Sequence, residues 1–99
     1  MAAYVILIRN HIVDQSKLDT YAALARKAGG SEPPKPLAYY GEAVAFEGPE
    51  VDGVVILEFT GMDAAKAWYH GPAYQEAKAH RLLGADCRVI LTDGVPPTA

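Results

Sequence analysis

The order of strand and helix signals along the chain predicts an α+β domain of βαββαβ form, with four antiparallel strands carrying helices on one face. Three observations carry that prediction. Residues 4–8 (Tyr-Val-Ile-Leu-Ile) and 54–59 (Val-Val-Ile-Leu-Glu-Phe) are short β-branched and aromatic runs, too short for buried helices. Two stretches with helical spacing, one after Asp14 and one after Thr60, are each closed by glycine. The 99 residues suffice for one core and leave no room for a second.

The first strand, residues 4–8, alternates Tyr4, Ile6 and Ile8 with Val5 and Leu7, so both of its faces are apolar. A strand of that kind must be covered on both sides. Asp14 is a suitable N-cap for a helix reaching about Ala28, in which Leu18, Tyr21, Ala22, Ala25 and Ala28 form one apolar stripe. Gly29-Gly30 stops this helix, and Ser31-Glu32-Pro33-Pro34-Lys35-Pro36 follows as a proline-stiffened loop, either a plain connector or a pocket rim.

A second strand is expected over residues 37–46, with Tyr39 and Tyr40 on opposite faces, followed by a turn at residues 48–53. In the third strand, residues 54–59, only Glu58 interrupts the apolar run, either as a solvated strand end or as an interior partner. Thr60-Gly61-Met62-Asp63 has capping-box spacing for a helix to Tyr69 or His70. Gly71-Pro72 breaks that helix and starts another, which ends at Gly84, and residues 87–92 are the last strand. Residues 1–95 are thus expected to form one domain and 96–99 a tail.

This is the ferredoxin-like split order. Helices cover only one face of such a sheet, so the doubly apolar strands call for a second copy of the sheet on the other. A two-fold homodimer is therefore expected.

Composition narrows the function classes. A net charge of −3 without any basic block speaks against nucleic acid. No apolar stretch is long enough for a membrane span, and residues 2–8 lack the features of a signal peptide. The single Cys87 allows no internal disulfide, which fits a cytoplasmic location. His11, His70 and His80 have no metal-binding spacing, none has a claim as a heme ligand, and no phosphate loop or nucleophile elbow is present; no cofactor is expected.

Candidate functional residues concentrate between Ala64 and Arg88. Tyr74, Ala77, Lys78, Arg81 and Ala85 share one side of the last helix, which carries Arg81 inward. An enclosed guanidinium needs a carboxylate, from Glu58, from Asp86 or from a ligand. Trp68 lies on an apolar helical face, as core or as a pocket wall beside Tyr39 and Tyr69. Glu76 and His80 could orient one another as a base, or form a solvated pair.

The segments Phe46-Glu47-Gly48, Val55-Ile56-Leu57-Glu58-Phe59 and Ala67-Trp68-Tyr69-His70-Gly71-Pro72-Ala73-Tyr74-Gln75, with Arg81, Arg88 and Gly94, resemble the domain-of-unknown-function family DUF1330. The resemblance spans nearly the whole chain and implies a dimeric α/β barrel of ferredoxin-like protomers. It belongs to a superfamily with cofactor-independent monooxygenases, small-lactone isomerases and heme-using members, so it implies no reaction. Two features depart from the family pattern: Gly71 stands where serine is usual, and residues 32–36 are longer than the usual passage.

The expected function is binding of a small acidic or carbonyl-bearing molecule in a pocket of each protomer. Arg81 would anchor its oxygen, Trp68, Tyr74 and Tyr39 would form the walls, and Glu58 would hold Arg81. The alternatives are a cofactor-independent monooxygenase- or isomerase-like enzyme with His80 or Glu58 as base, and a dimerisation module without ligand.

Overall fold

The computed structural model describes residues 1–29 and 33–96. Its elements are β1 (Ala3–Ile12), α1 (Gln15–Lys27), β2 (Lys35–Tyr39), β3 (Gly53–Phe59), α2 (Met62–His70), α3 (Pro72–Gly84) and β4 (Ala85–Asp93). The strands form one antiparallel sheet in the order β2-β3-β1-β4, so both doubly apolar strands lie at its centre.

Alternation along β1 separates two environments. Ala3, Val5 and Leu7 are buried against the helices, whereas Tyr4, Ile6 and Ile8 on the other face stay partly exposed. Val55 and Phe59 on β3 repeat the inward pattern, and Val5, Phe59 and Ala65 form a core with Leu57, Trp68 and Val89 packed against it. Among the described residues no helix or strand covers the outer face.

Asp14 caps α1 as expected, its carboxylate accepting from the Ser16 N–H at 3.0 Å and the Ser16 hydroxyl at 2.6 Å. The α1 start is tied to the α3 end, because the Gly84 carbonyl accepts from the N–H groups of Val13 (2.7 Å) and Asp14 (2.9 Å). Gly84 closes α3 as expected, and Ala85 opens β4 rather than continuing the helical side shared by Tyr74, Ala77 and Arg81.

Three local expectations are corrected. The second strand occupies Lys35–Tyr39 rather than residues 37–46. Part of the supposed proline loop is thus strand; Pro36 is tolerated because β2 is an edge strand, and its pairing with β3 is irregular between Pro36 and Ala38. The strand ends because Tyr40 takes a left-handed φ of 54°. That backbone reversal also defeats the opposite-face placement of Tyr39 and Tyr40, whose rings meet edge to face at 5.0 Å. Finally, the Thr60–Asp63 capping box does not form, since Gly61 is the N-cap of α2 and no side chain caps it. The expectations for Gly30, Ser31 and Glu32, and for the tail beyond Pro96, fall outside the described residues.

Gly84 lies where α1 and α3 touch: a Cβ there would come within 2.9 Å of Leu18 Cδ2 and 3.1 Å of the Asp14 carbonyl oxygen. Gly84→Ala is expected to destabilise the fold by about 1–3 kcal/mol, as overpacking does, through a lower urea midpoint at unchanged m-value.

Candidate functional site

Between the inner face of the sheet and α1 lies a cavity of about 510 Å³, with Val5, Leu7, Val55 and Leu57 as its floor. Its aromatic walls are Tyr21 from α1, Tyr39 and Tyr40 from the end of β2, Trp68 from α2 and Tyr74 from α3. Helical spacing brings Tyr21, Ala22 and Ala25 to one side, and the two alanines leave the room that larger residues would fill.

Tyr74 is 1% exposed and connects the walls. Its ring is tilted against Trp68 at 4.2 Å and against Tyr69 at 5.3 Å, and Trp68 in turn meets Phe59 at 5.3 Å. Its hydroxyl shares a 2.8 Å hydrogen bond with that of Tyr21, whose ring it meets edge-on at 6.1 Å. Burial, then the proximity of Tyr74, pushes the Tyr21 phenol far above its ordinary value, so the Tyr21 hydroxyl keeps its proton at neutral pH.

Arg81 stands behind this hydroxyl pair, 4% exposed, with its guanidinium carbon 5.9 Å from the Tyr21 ring centre. Among the described residues no carboxylate lies within 4 Å of it. The expected internal partners point elsewhere. Asp86 accepts from Asn10 Nδ2 at 3.2 Å and lies 3.9 Å from His11 Nδ1. Glu58 is the residue between inward-facing Leu57 and Phe59, so the pleat turns it to the outer face opposite Tyr4. The expectation that Glu58 holds Arg81 is therefore corrected. Burial opposes the charge on Arg81, but the phenol oxygens of Tyr74 and Tyr21 outweigh that, and the guanidinium titrates above its ordinary value. Arg81 Nε and Trp68 Nε1 are both buried without a hydrogen-bond partner.

Of the five expected site residues, Trp68, Tyr74 and Tyr39 meet on this cavity, Arg81 backs it, and Glu58 does not line it. His80 does not line it either. The sequence reading missed Tyr21, Tyr40 and Arg9. The Tyr40 ring packs over Gly53, where a Cβ would lie 2.6 Å from its Cδ1. Arg9 sits 4.3 Å from the centre of that ring and pairs with Asp52 at 2.6 Å. Burial raises the Tyr40 phenol against the opposing pull of Arg9, and it raises the Cys87 thiol against Arg81. Tyr21 could have been found from its place in the α1 stripe; nothing local in the sequence signals the turned backbone of Tyr40.

Among the described residues no group of three or more His, Cys, Asp or Glu could hold a metal ion, and no helix is long and apolar enough to cross a membrane.

The model of one protein family, described as "Domain of unknown function (DUF1330)", matches residues 2–95. The chain belongs to the DUF1330 family. No curated protein matches it. Among solved structures, a protein of unknown function from Rhodopseudomonas palustris is similar at TM-score 0.76 and 18% identity, over 97% of this chain and 84% of that one. A dimeric ferredoxin-like protein of unknown function from Thermobifida fusca is similar at TM-score 0.64 and 16% identity, over 94% and 91% of the two chains. An ethyl tert-butyl ether d (ethd) family protein from Bacillus halodurans is similar at TM-score 0.67 and 14% identity, over 96% and 100%. At these identities the likeness establishes the fold of this DUF1330 member, which is ferredoxin-like.

A buried phenol carries a pH signature. Its folded-state value is raised, so above about pH 10 the unfolded chain loses the Tyr21 proton first, and stability falls as pH rises. Tyr21→Phe is expected to flatten the decline in stability above pH 10, measured by urea unfolding at stepped pH.

Proposed function

We propose that this protein is a cytoplasmic homodimer in which each protomer binds one small, largely apolar molecule bearing an acidic or carbonyl oxygen. The observation that carries the proposal is the hydrogen-bonded hydroxyl pair of Tyr21 and Tyr74, two cavity-lining residues, backed by a guanidinium with no carboxylate beside it among the described residues. A cation behind a phenol makes it a stronger donor, so this pair favours acceptor oxygens and disfavours ammonium groups. Arg81 acts on the ligand oxygen chiefly through Tyr74 and Tyr21, while Trp68 and Tyr39 supply apolar contact.

A ligand-free module would leave interior space for only one or two waters. At about 30 Å³ of liquid volume per water, this cavity is many times larger. A cofactor-independent monooxygenase or isomerase needs a base in contact with the substrate, and neither His80 nor Glu58 lines the cavity. Binding is therefore the reading that the geometry favours. Pairing of two sheets into an α/β barrel is supported by the uncovered apolar outer face and by relatives from Thermobifida fusca and Bacteroides fragilis that are described as dimeric. The lone Cys87 suits a reducing compartment.

The test is thermal unfolding and calorimetric titration with matched aromatic compounds: benzoate and acetophenone as acceptors, benzylamine as the cationic control. The acceptors are expected to bind and raise the melting temperature, and benzylamine is not. Arg81→Leu is expected to weaken binding of the acceptors at least about tenfold, the scale of a charge-assisted hydrogen bond, while the dimer persists. Unchanged affinity in Arg81→Leu, or equal binding of benzylamine, would overturn the reading.

A further inference from the structure

The register of the three longest strands arranges the outer face as a three-by-three array, longer along the strands than across them. Across β3, β1 and β4, its rows read Glu58, Tyr4 and Thr92, then Ile56, Ile6 and Ile90, then Val54, Ile8 and Arg88. Ile6 is the centre, and the array's only acid and only base occupy opposite corners. All nine are at least partly exposed in the single chain, and among the described residues neither Glu58 nor Arg88 makes an ion pair. Lys35, opposite Glu58 on β2, is exposed and not paired with it.

We infer that Glu58 and Arg88 form two reciprocal ion pairs across the homodimer interface, and that these fix the angle at which the two sheets stack. The inference rests on the dimer proposed above. A two-fold axis between stacked sheets turns one array over onto the other. With the axis along β1, Glu58 meets the partner's Thr92 and Arg88 meets the partner's Val54. With the axis straight across the strands, Glu58 meets the partner's Val54 and Arg88 the partner's Thr92. Both arrangements bury four charges against neutral groups, which is costly. An oblique axis through Ile6 instead brings Glu58 to the partner's Arg88 and Arg88 to the partner's Glu58. Given the spacing of residues and strands, the two sets of strands then cross nearer to perpendicular than to parallel, one of the two preferred ways for sheets to pack. Isoleucine fills the centre, where the two-fold places Ile6 against its own copy.

The test is sedimentation equilibrium of the full chain and three variants: Glu58→Arg, Arg88→Glu and the two combined. Each single reversal sets like charges against each other. It is expected to raise the dimer dissociation constant at least about 30-fold, the low end for breaking a buried interfacial pair. The combined variant restores opposite charges and is expected to return to within about tenfold of the parent. Its recovery excludes misfolding as the cause of the single effects. A dimeric parent with unaffected single variants, or a combined variant no better than the singles, overturns the ion pairs and leaves the dimer standing. A monomeric parent at micromolar concentration overturns the dimer as well.

Discussion

A central strand with two apolar faces makes two demands on everything around it. β1 meets the first with its own chain: its inner face receives α2 and, across the cavity floored by Val5 and Leu7, the aromatic layer carried by α1, α2 and α3. The second, over Tyr4, Ile6 and Ile8, is met by no helix or strand among the described residues. Because side chains alternate at every residue, one register decides both faces at once, and a slip by one position would exchange them. The cavity and the proposed interface are therefore two consequences of one pairing of β1 with β3 and β4.

Inside, the constraint passes from packing to electrostatics. Tyr74 is fully buried where α3 packs against α1 and α2, and its hydroxyl must find a partner. It finds Tyr21, and both stand in front of a buried guanidinium that has no carboxylate beside it among the described residues. A protein that needed Arg81 only for stability would gain by pairing it or replacing it with an apolar residue. A buried cation behind two hydroxyls of cavity-lining tyrosines is what the proposed oxygen-binding site rests on.

Tyr40 shows how local strain serves this arrangement. A bulky residue with a φ of 54° is disfavoured, yet the ring is held by Gly53 beneath it, Arg9 over its face and Tyr39 at its edge. The turned backbone ends β2 early and brings both tyrosines to the cavity, which an uninterrupted strand could not do.

The sequence by itself determined the element order, the cap at Asp14, the helix start at Pro72, the helix end at Gly84 and the inward position of Trp68, Tyr74 and Arg81. These follow from periodicity and backbone chemistry, which act within a few residues. Strand alternation likewise sets Glu58 on the face opposite Leu57 and Phe59, away from Arg81. Only the tertiary structure decided that Asp86 turns to Asn10 and His11, that Tyr40 leaves the strand with Arg9 over its ring, and that Tyr21 reaches the same cavity as Tyr40. Those outcomes depend on contacts between residues tens of positions apart, whose energies no local pattern encodes.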